Sequence, residues 1–120
     1  MKAEKTMNKI IFKTIKIRSN YKDFNEFYDQ NKVKIYNEII EIFKEFLNTK
    51  EIELSLKIEA IIKGLNWNSD FTFNLKNDVR LLMSDILPYY IENEMYEKCS
   101  EIKKLYVILE ARNKKLRKNI

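Results

Sequence analysis

The stretch "EIELSLKIEAIIKG", residues 51–64, decides the fold. Ile52, Leu54, Leu56 and Ile58 alternate with Glu53, Ser55, Lys57 and Glu59, the period of two that a half-buried strand needs. Leu54, Ile58, Ile61 and Leu65 also suit one face of a helix stopped by Gly64, and that reading would make the chain all-α. The unbroken alternation favours the strand. "NWNSDFTFNL" (66–75) follows, with Asn/Ser/Asp turn chemistry and then Phe71, Phe73 and Leu75 at period two. Residues 51–76 are therefore predicted to form a β-hairpin.

On the N-terminal side, "NKIIFKTIKIRS" (8–19) is rich in β-branched residues and reads as a further strand. Between the two lies a helical pattern over about 22–48. Phe24, Tyr28, Ile35, Ile39, Ile42 and Phe46 recur at steps of four, seven, four, three and four, one face of a long helix. Beyond the hairpin, Asn77 is placed to cap a helix carrying Val79, Leu82, Met83 and Ile86. Pro88 kinks or ends that helix, because it lacks an N–H and clashes with the preceding turn. "ENE" (92–94) turns the chain into a last helix over about 94–116. The expected architecture is α+β: a small antiparallel sheet packed by one long helix and a C-terminal helical pair. We expect a single domain over 1–120, with basic segments 1–8 and 111–120 as flexible ends.

Composition excludes several classes of function. The chain has no histidine and a single glycine, Gly64. It therefore lacks the imidazole of Ser-His or Cys-His nucleophile pairs and of common metal sites, and it cannot build a glycine-rich phosphate cradle. The carboxylates Asp85, Glu92, Glu94, Glu97 and Glu101 fall on exposed sides of a helix and its turn, not at one point. No enzymatic activity, cofactor, metal or small-molecule substrate is expected. Cys99 is the only cysteine, which fits a reducing, cytoplasmic setting, and no apolar run is long enough to enter a membrane as a span.

The last helix is the most informative part. Met95, Cys99, Ile102, Tyr106 and Leu109 form a seam at spacings of four, three, four and three, interrupted by Asn113. Val107 and Ile108 fall on the opposite side, where a globular helix normally meets water. A terminal helix apolar on both sides predicts contact with a protein partner or a second copy. Tyr96, Leu105, Val107 and Ile108 are the expected contacts, with Tyr89 and Tyr90 beside Pro88.

The stretch "ENEMYEKCSEIKKLYVILE" (92–110) resembles the UVR motif, the short helical hairpin of bacterial excision-repair helicase and nuclease subunits and of some Clp-protease partners. Glu94, Tyr96, Glu97, Lys98, Cys99, Ser100, Glu101 and Ile102 stand in register with it, while Lys103 and Lys104 replace the usual Arg-Asp. The resemblance covers about 20 residues and implies protein–protein docking, not catalysis.

Charge supplies the competing reading. Residues 1–18 carry six Lys/Arg against one acid, and residues 110–120 carry five against one. Lys9, Lys13, Lys16 and Arg18 at one end could join Arg112, Lys114, Lys115, Arg117 and Lys118 at the other to track nucleic-acid phosphates. The functional expectation is thus a small adaptor protein docking through its C-terminal helical pair, with accessory nucleic-acid binding by the basic termini as the alternative. Small size and a low-GC residue bias also admit a phage or mobile-element protein that inhibits or adapts host machinery.

Overall fold

The computed structural model describes residues 11–118, with side chains through 115. In chain order it holds β1 (Ile11–Tyr21), α1 (Phe24–Glu45), β2 (Glu53–Ile62), β3 (Leu65–Asn74), the single turn α2 (Leu75–Asp78), a π-helical turn (Leu82–Ile86), α3 (Leu87–Glu92) and α4 (Tyr96–Lys118). The class is α+β, and residues 51–64 are strand, not helix. The chain folds into two compact units, one from the residues up to Ile42 with Glu53–Phe73, the other from Phe43–Ile52 with the residues from Asn74 on. No Pro/Gly linker marks the division, because one crossing falls within α1 itself.

The first unit is a three-stranded sheet in the order β1-β2-β3 with α1 against it. The expectation of a wholly antiparallel sheet is corrected: β1 and β2 run parallel, with Ile15 beside Ile58 and Lys16 beside Glu59, and only β2–β3 is antiparallel. The 22-residue helix between β1 and β2 explains this. A crossover of that length carries the chain back to the end from which β1 started, so β2 sets off in the same direction. The hairpin turn also differs from expectation. It lies at Lys63–Gly64, both with positive φ (56° and 74°), and Asn66–Asp70 belong to β3. Two consecutive left-handed residues are what a two-residue hairpin of the favoured twist requires, and Gly64 takes one without a Cβ penalty. The Gly64 N–H donates to Asn20 Oδ1 at 3.0 Å and the Lys63 N–H to the Tyr21 carbonyl at 2.7 Å, tying the turn to the end of β1.

Alternation along β2 buries Leu54, Leu56, Ile58 and Ala60, as period two demands. Ile52, read as part of that row, is exposed and precedes the strand. On the other face Ser55 is fully buried and its hydroxyl shares a 2.8 Å hydrogen bond with Thr72 of β3. On α1 the buried stripe is rotated from the expected one. Phe27, Ile40 and Phe43 are as deeply buried as Ile35, Ile42 and Phe46, whereas Phe24 is exposed and Tyr28 and Ile39 are half-buried. Phe24 and Phe27 both pack on Trp67, with ring centroids 5.4 and 5.6 Å away.

In the second unit, Asn74 and not Asn77 is the N-cap. Its side-chain oxygen accepts from the N–H groups of Lys76 and Asn77, at 2.9 and 3.0 Å. Val79, Leu82 and Ile86 are buried as predicted and Met83 is half-buried, but the backbone carrying them is not one helix; Leu75, read as the end of the strand, is buried in the helical turn α2. A π turn precedes Pro88, with the Leu87 N–H bonded to the Leu82 carbonyl, and Pro88 stands in the first turn of α3. Pro88 thus opens a helix, the position where its missing N–H costs least. The turn 93–95 closes α3. Glu94 takes φ 56° and its N–H reaches the Ile91 carbonyl, while the Met95 N–H reaches that of Tyr90 at 2.9 Å. This pair of bonds satisfies carbonyls that the helix end leaves without partners. Cys99, Ile102, Leu105 and Leu109 of α4 are buried. No described helix is long and apolar enough to cross a membrane.

Candidate docking face

The helix α4 divides cleanly along its length. At 100° per residue, Cys99, Ile102, Leu105, Leu109 and Asn113 fall on one side, and all five are buried. The predicted seam is corrected in three places: Met95 is exposed, Tyr106 is half-buried while Leu105 joins the buried row in its stead, and Asn113, read as an interruption, continues that row. The Asn113 amide donates to the Leu75 carbonyl at 3.2 Å, so a polar side chain is tolerated there because it has a backbone acceptor to meet.

The other side presents Tyr96, Glu97, Ser100, Lys103, Lys104, Val107, Ile108, Ala111, Lys114 and Lys115, all exposed. Tyr96 and Val107 are each 64% accessible and Ile108 is 52% accessible. Leu105 is the exception among the expected contacts. It is only 5% accessible and packs with the buried row, so it leaves the docking set. Its position explains this, since it lies one turn from Ile102 and from Leu109 and about 160° around the helix from Val107, though only about 60° from Ile108. Tyr89 is half-buried and Tyr90 is fully buried, where desolvation pushes its hydroxyl above the usual tyrosine range.

From Lys103 to Lys115 the charges of the outer row are all positive, whereas Glu97, nearly two turns before Lys103 on the same side, is an exposed carboxylate. Val107, Ile108 and Ala111 lie between the lysine pair 103/104 on one side and 114/115 on the other, within four helical turns. Among the described residues none of these four lysines makes an ion pair. Two neighbouring carboxylates, Glu101 and Glu110, are committed elsewhere. Glu101 holds Lys44 in the last turn of α1 and Lys98 at 3.3 Å, and the hydrogen bond from Lys44 keeps its carboxyl below the ordinary glutamate value. Glu110 accepts from the Tyr106 hydroxyl at 3.1 Å, which raises the Tyr106 pKa.

The residues expected to track nucleic acid are distributed differently from the sequence reading. Arg112 is part of the structure of the second unit. Its guanidinium donates to the backbone carbonyls of Phe46 and, at 2.9 Å, of Thr49, just past the C-terminal end of α1. A cation at the negative end of a helix, bonded to carbonyls without partners of their own, has a stabilising role. Lys13 is paired with Glu38 of α1 at 2.9 Å. Lys16 and Arg18 are exposed on β1, in a shallow depression shared with Glu59. Lys114 and Lys115 belong to the outer row of α4. Lys9 lies outside the described residues, as do the side chains of Arg117 and Lys118. Residues 111–118 continue α4.

Among the described residues no group of acids and Cys99 could hold a metal ion. Compared with known protein families, curated proteins and solved structures, the chain matches none.

Proposed function

We propose that this protein is a docking module that uses the outer row of α4 to hold a protein partner with carboxylates around an apolar contact. The observation that carries this reading is the exposure of Val107 and Ile108 between two lysine pairs that make no ion pair among the described residues. Apolar side chains supply the affinity and the flanking charges select the partner and speed its approach. The same charges disfavour a second copy as the occupant. Two such faces laid together would oppose lysine to lysine in either orientation, and like charges across an interface are costly. The resemblance of residues 92–110 to the UVR motif agrees with docking. Within this reading fall an adaptor and an inhibitor of host machinery, which differ only in the partner.

Two designed helical peptides test it. Both carry the same leucine face, one rimmed with glutamate and the other with lysine, and binding is followed by fluorescence anisotropy. The glutamate-rimmed peptide is expected to bind the full chain, more weakly as salt is added, and to lose binding to Val107→Glu/Ile108→Lys. The lysine-rimmed peptide should not bind. Equal binding of both peptides, or retention by the double variant, defeats the proposal. Binding of a short duplex DNA that survives the double variant would favour the nucleic-acid alternative instead.

A further inference from the structure

The hairpin fixes which main-chain groups of β3 point away from the sheet. Its two-residue turn sets Ile62 opposite Leu65, the flanking pair that exchanges both main-chain bonds in such a turn. The same register puts Ser55 opposite Thr72, whose hydroxyls lie 2.8 Å apart, and carries on to the Leu75 N–H bond to the Ile52 carbonyl. Odd-numbered residues of β3 therefore bond β2, and even-numbered ones direct N–H and C=O outward. β3 ends the order of the sheet, so no described strand lies beyond it. Asn66, Asn68 and Thr72 are exposed, and their outward main-chain groups meet no partner among the described residues.

The two edges of the sheet differ. β1 carries Lys13, Lys16 and Arg18, all exposed, and its pairing with β2 shifts register twice; charge and irregularity both discourage a further strand there. β3 is ten residues of unbroken strand with no proline or lysine, and its only charge is Asp70. Leu65 is 71% accessible and Phe71 is 37% accessible. Both fall on the side that faces α1, with Trp67 and Phe73. They stand symmetrically about Asn68, three residues to each side. A second β3 laid antiparallel about a twofold axis at Asn68 sets Leu65 of each copy against Phe71 of the other. The two Asn68 residues on the axis exchange main-chain bonds, and Asp70 falls opposite Asn66, so no like charges meet. We propose that the β3 edge pairs over residues 65–71 with the β3 edge of a second copy of this chain, so that the two three-stranded sheets become continuous. This contact is separate from the outer row of α4 and does not depend on the docking proposal.

Sedimentation equilibrium of the full chain from about 10 µM to about 1 mM tests this. A reversible monomer–dimer equilibrium is expected, with a Kd of roughly 10–300 µM, because a strip of edge is smaller than a standard interface. Leu65→Glu sets a carboxylate against Phe71 of the mate and should weaken the dimer about tenfold or more. Adding Phe71→Lys to that variant should restore most of the affinity, since opposite charges then face each other across the strands. Asn68→Pro removes an N–H that β2 does not use, where an edge strand tolerates proline, and should abolish the dimer while the dilute chain keeps the circular dichroism of the parent. Should Asn68→Pro not fold, the variants at Leu65 and Phe71 decide the matter, because both side chains are exposed. The inference is overturned if the parent stays monomeric at about 1 mM or grows beyond a dimer. It also fails if the dimer survives Leu65→Glu in the folded chain, or if Phe71→Lys restores nothing. A dimer lost to Val107→Glu/Ile108→Lys and indifferent to the edge variants would place the contact on α4 and overturn it as well.

Discussion

The two sides of α4 are both apolar, yet they do different work. Along the inner side Cys99, Ile102, Leu105 and Leu109 are buried, and Asn113 extends the row by donating to a backbone carbonyl. Along the outer side Val107 and Ile108 are exposed and stand among lysines. Hydrophobicity alone does not separate the rows, since Val107 and Ile108 are as apolar as Leu105 and Leu109. Their angular position does. The lesson is that an apolar residue on a helix belongs to the fold only where the fold supplies atoms to receive it, and what is left over is available to a partner.

Substitutions on the inner side should have the largest effects. Leu109→Ala leaves a hole in a filled row and should cost about 2–5 kcal/mol of stability, read from the urea midpoint. An inner row that tolerated it would erase the contrast between the sides. Arg112→Met should come next, at about 2 kcal/mol, because it strips charged donors from the Phe46 and Thr49 carbonyls while keeping a similar stem. Arg112→Lys should recover little of this loss, since a single ammonium cannot reproduce the two-pronged geometry.

A smaller effect belongs to Glu101, which is held below the ordinary glutamate range chiefly by its hydrogen bond from Lys44. A carboxyl depressed on folding contributes stability that is complete above its unfolded pKa and is lost as pH falls through its folded value. Glu101→Gln should therefore lie slightly below the parent at neutral pH and converge with it in acid. The pair is over a third exposed, so solvent screening keeps the difference small. A constant offset down to pH 2 would mean that the effect is packing, not charge.

Much of this architecture is legible in the letters of the chain. The alternation of residues 52–59 identifies β2, and the periodicity of 24–46 identifies α1, because both patterns are local. The direction of β1 against β2 is not local. It follows from the length of the crossover between them, and the presence of α1 already contains the parallel answer. The rotation of the buried stripe on α1 is harder to read, since Ile39, Ile40, Ile42, Phe43, Phe46 and Leu47 offer several faces of similar hydrophobicity. Lys63 gives no sign of its left-handed turn beyond its neighbour Gly64. The role of Arg112 has no signature at all, because its acceptors are backbone carbonyls more than sixty residues away in sequence. For the same reason a cluster of basic letters overstates the surface available to nucleic acid: Lys13 and Arg112 are already engaged. On the outer side of α4, the exposure of Val107 and Ile108 is legible because they lie outside the seam. The burial of Leu105 is equally readable from its place between Ile102 and Leu109.

The smallest expected effect is the most telling. Val107→Glu/Ile108→Lys leaves the net charge unchanged and removes both branched side chains from the outer row. Urea unfolding of this double variant tests whether those side chains are surplus to the fold. The account predicts a stability within about 0.5 kcal/mol of the parent, as for surface changes away from packed features. A loss of about 2 kcal/mol or more would place Val107 and Ile108 among the residues that hold the protein together, and the outer face would no longer be a docking surface.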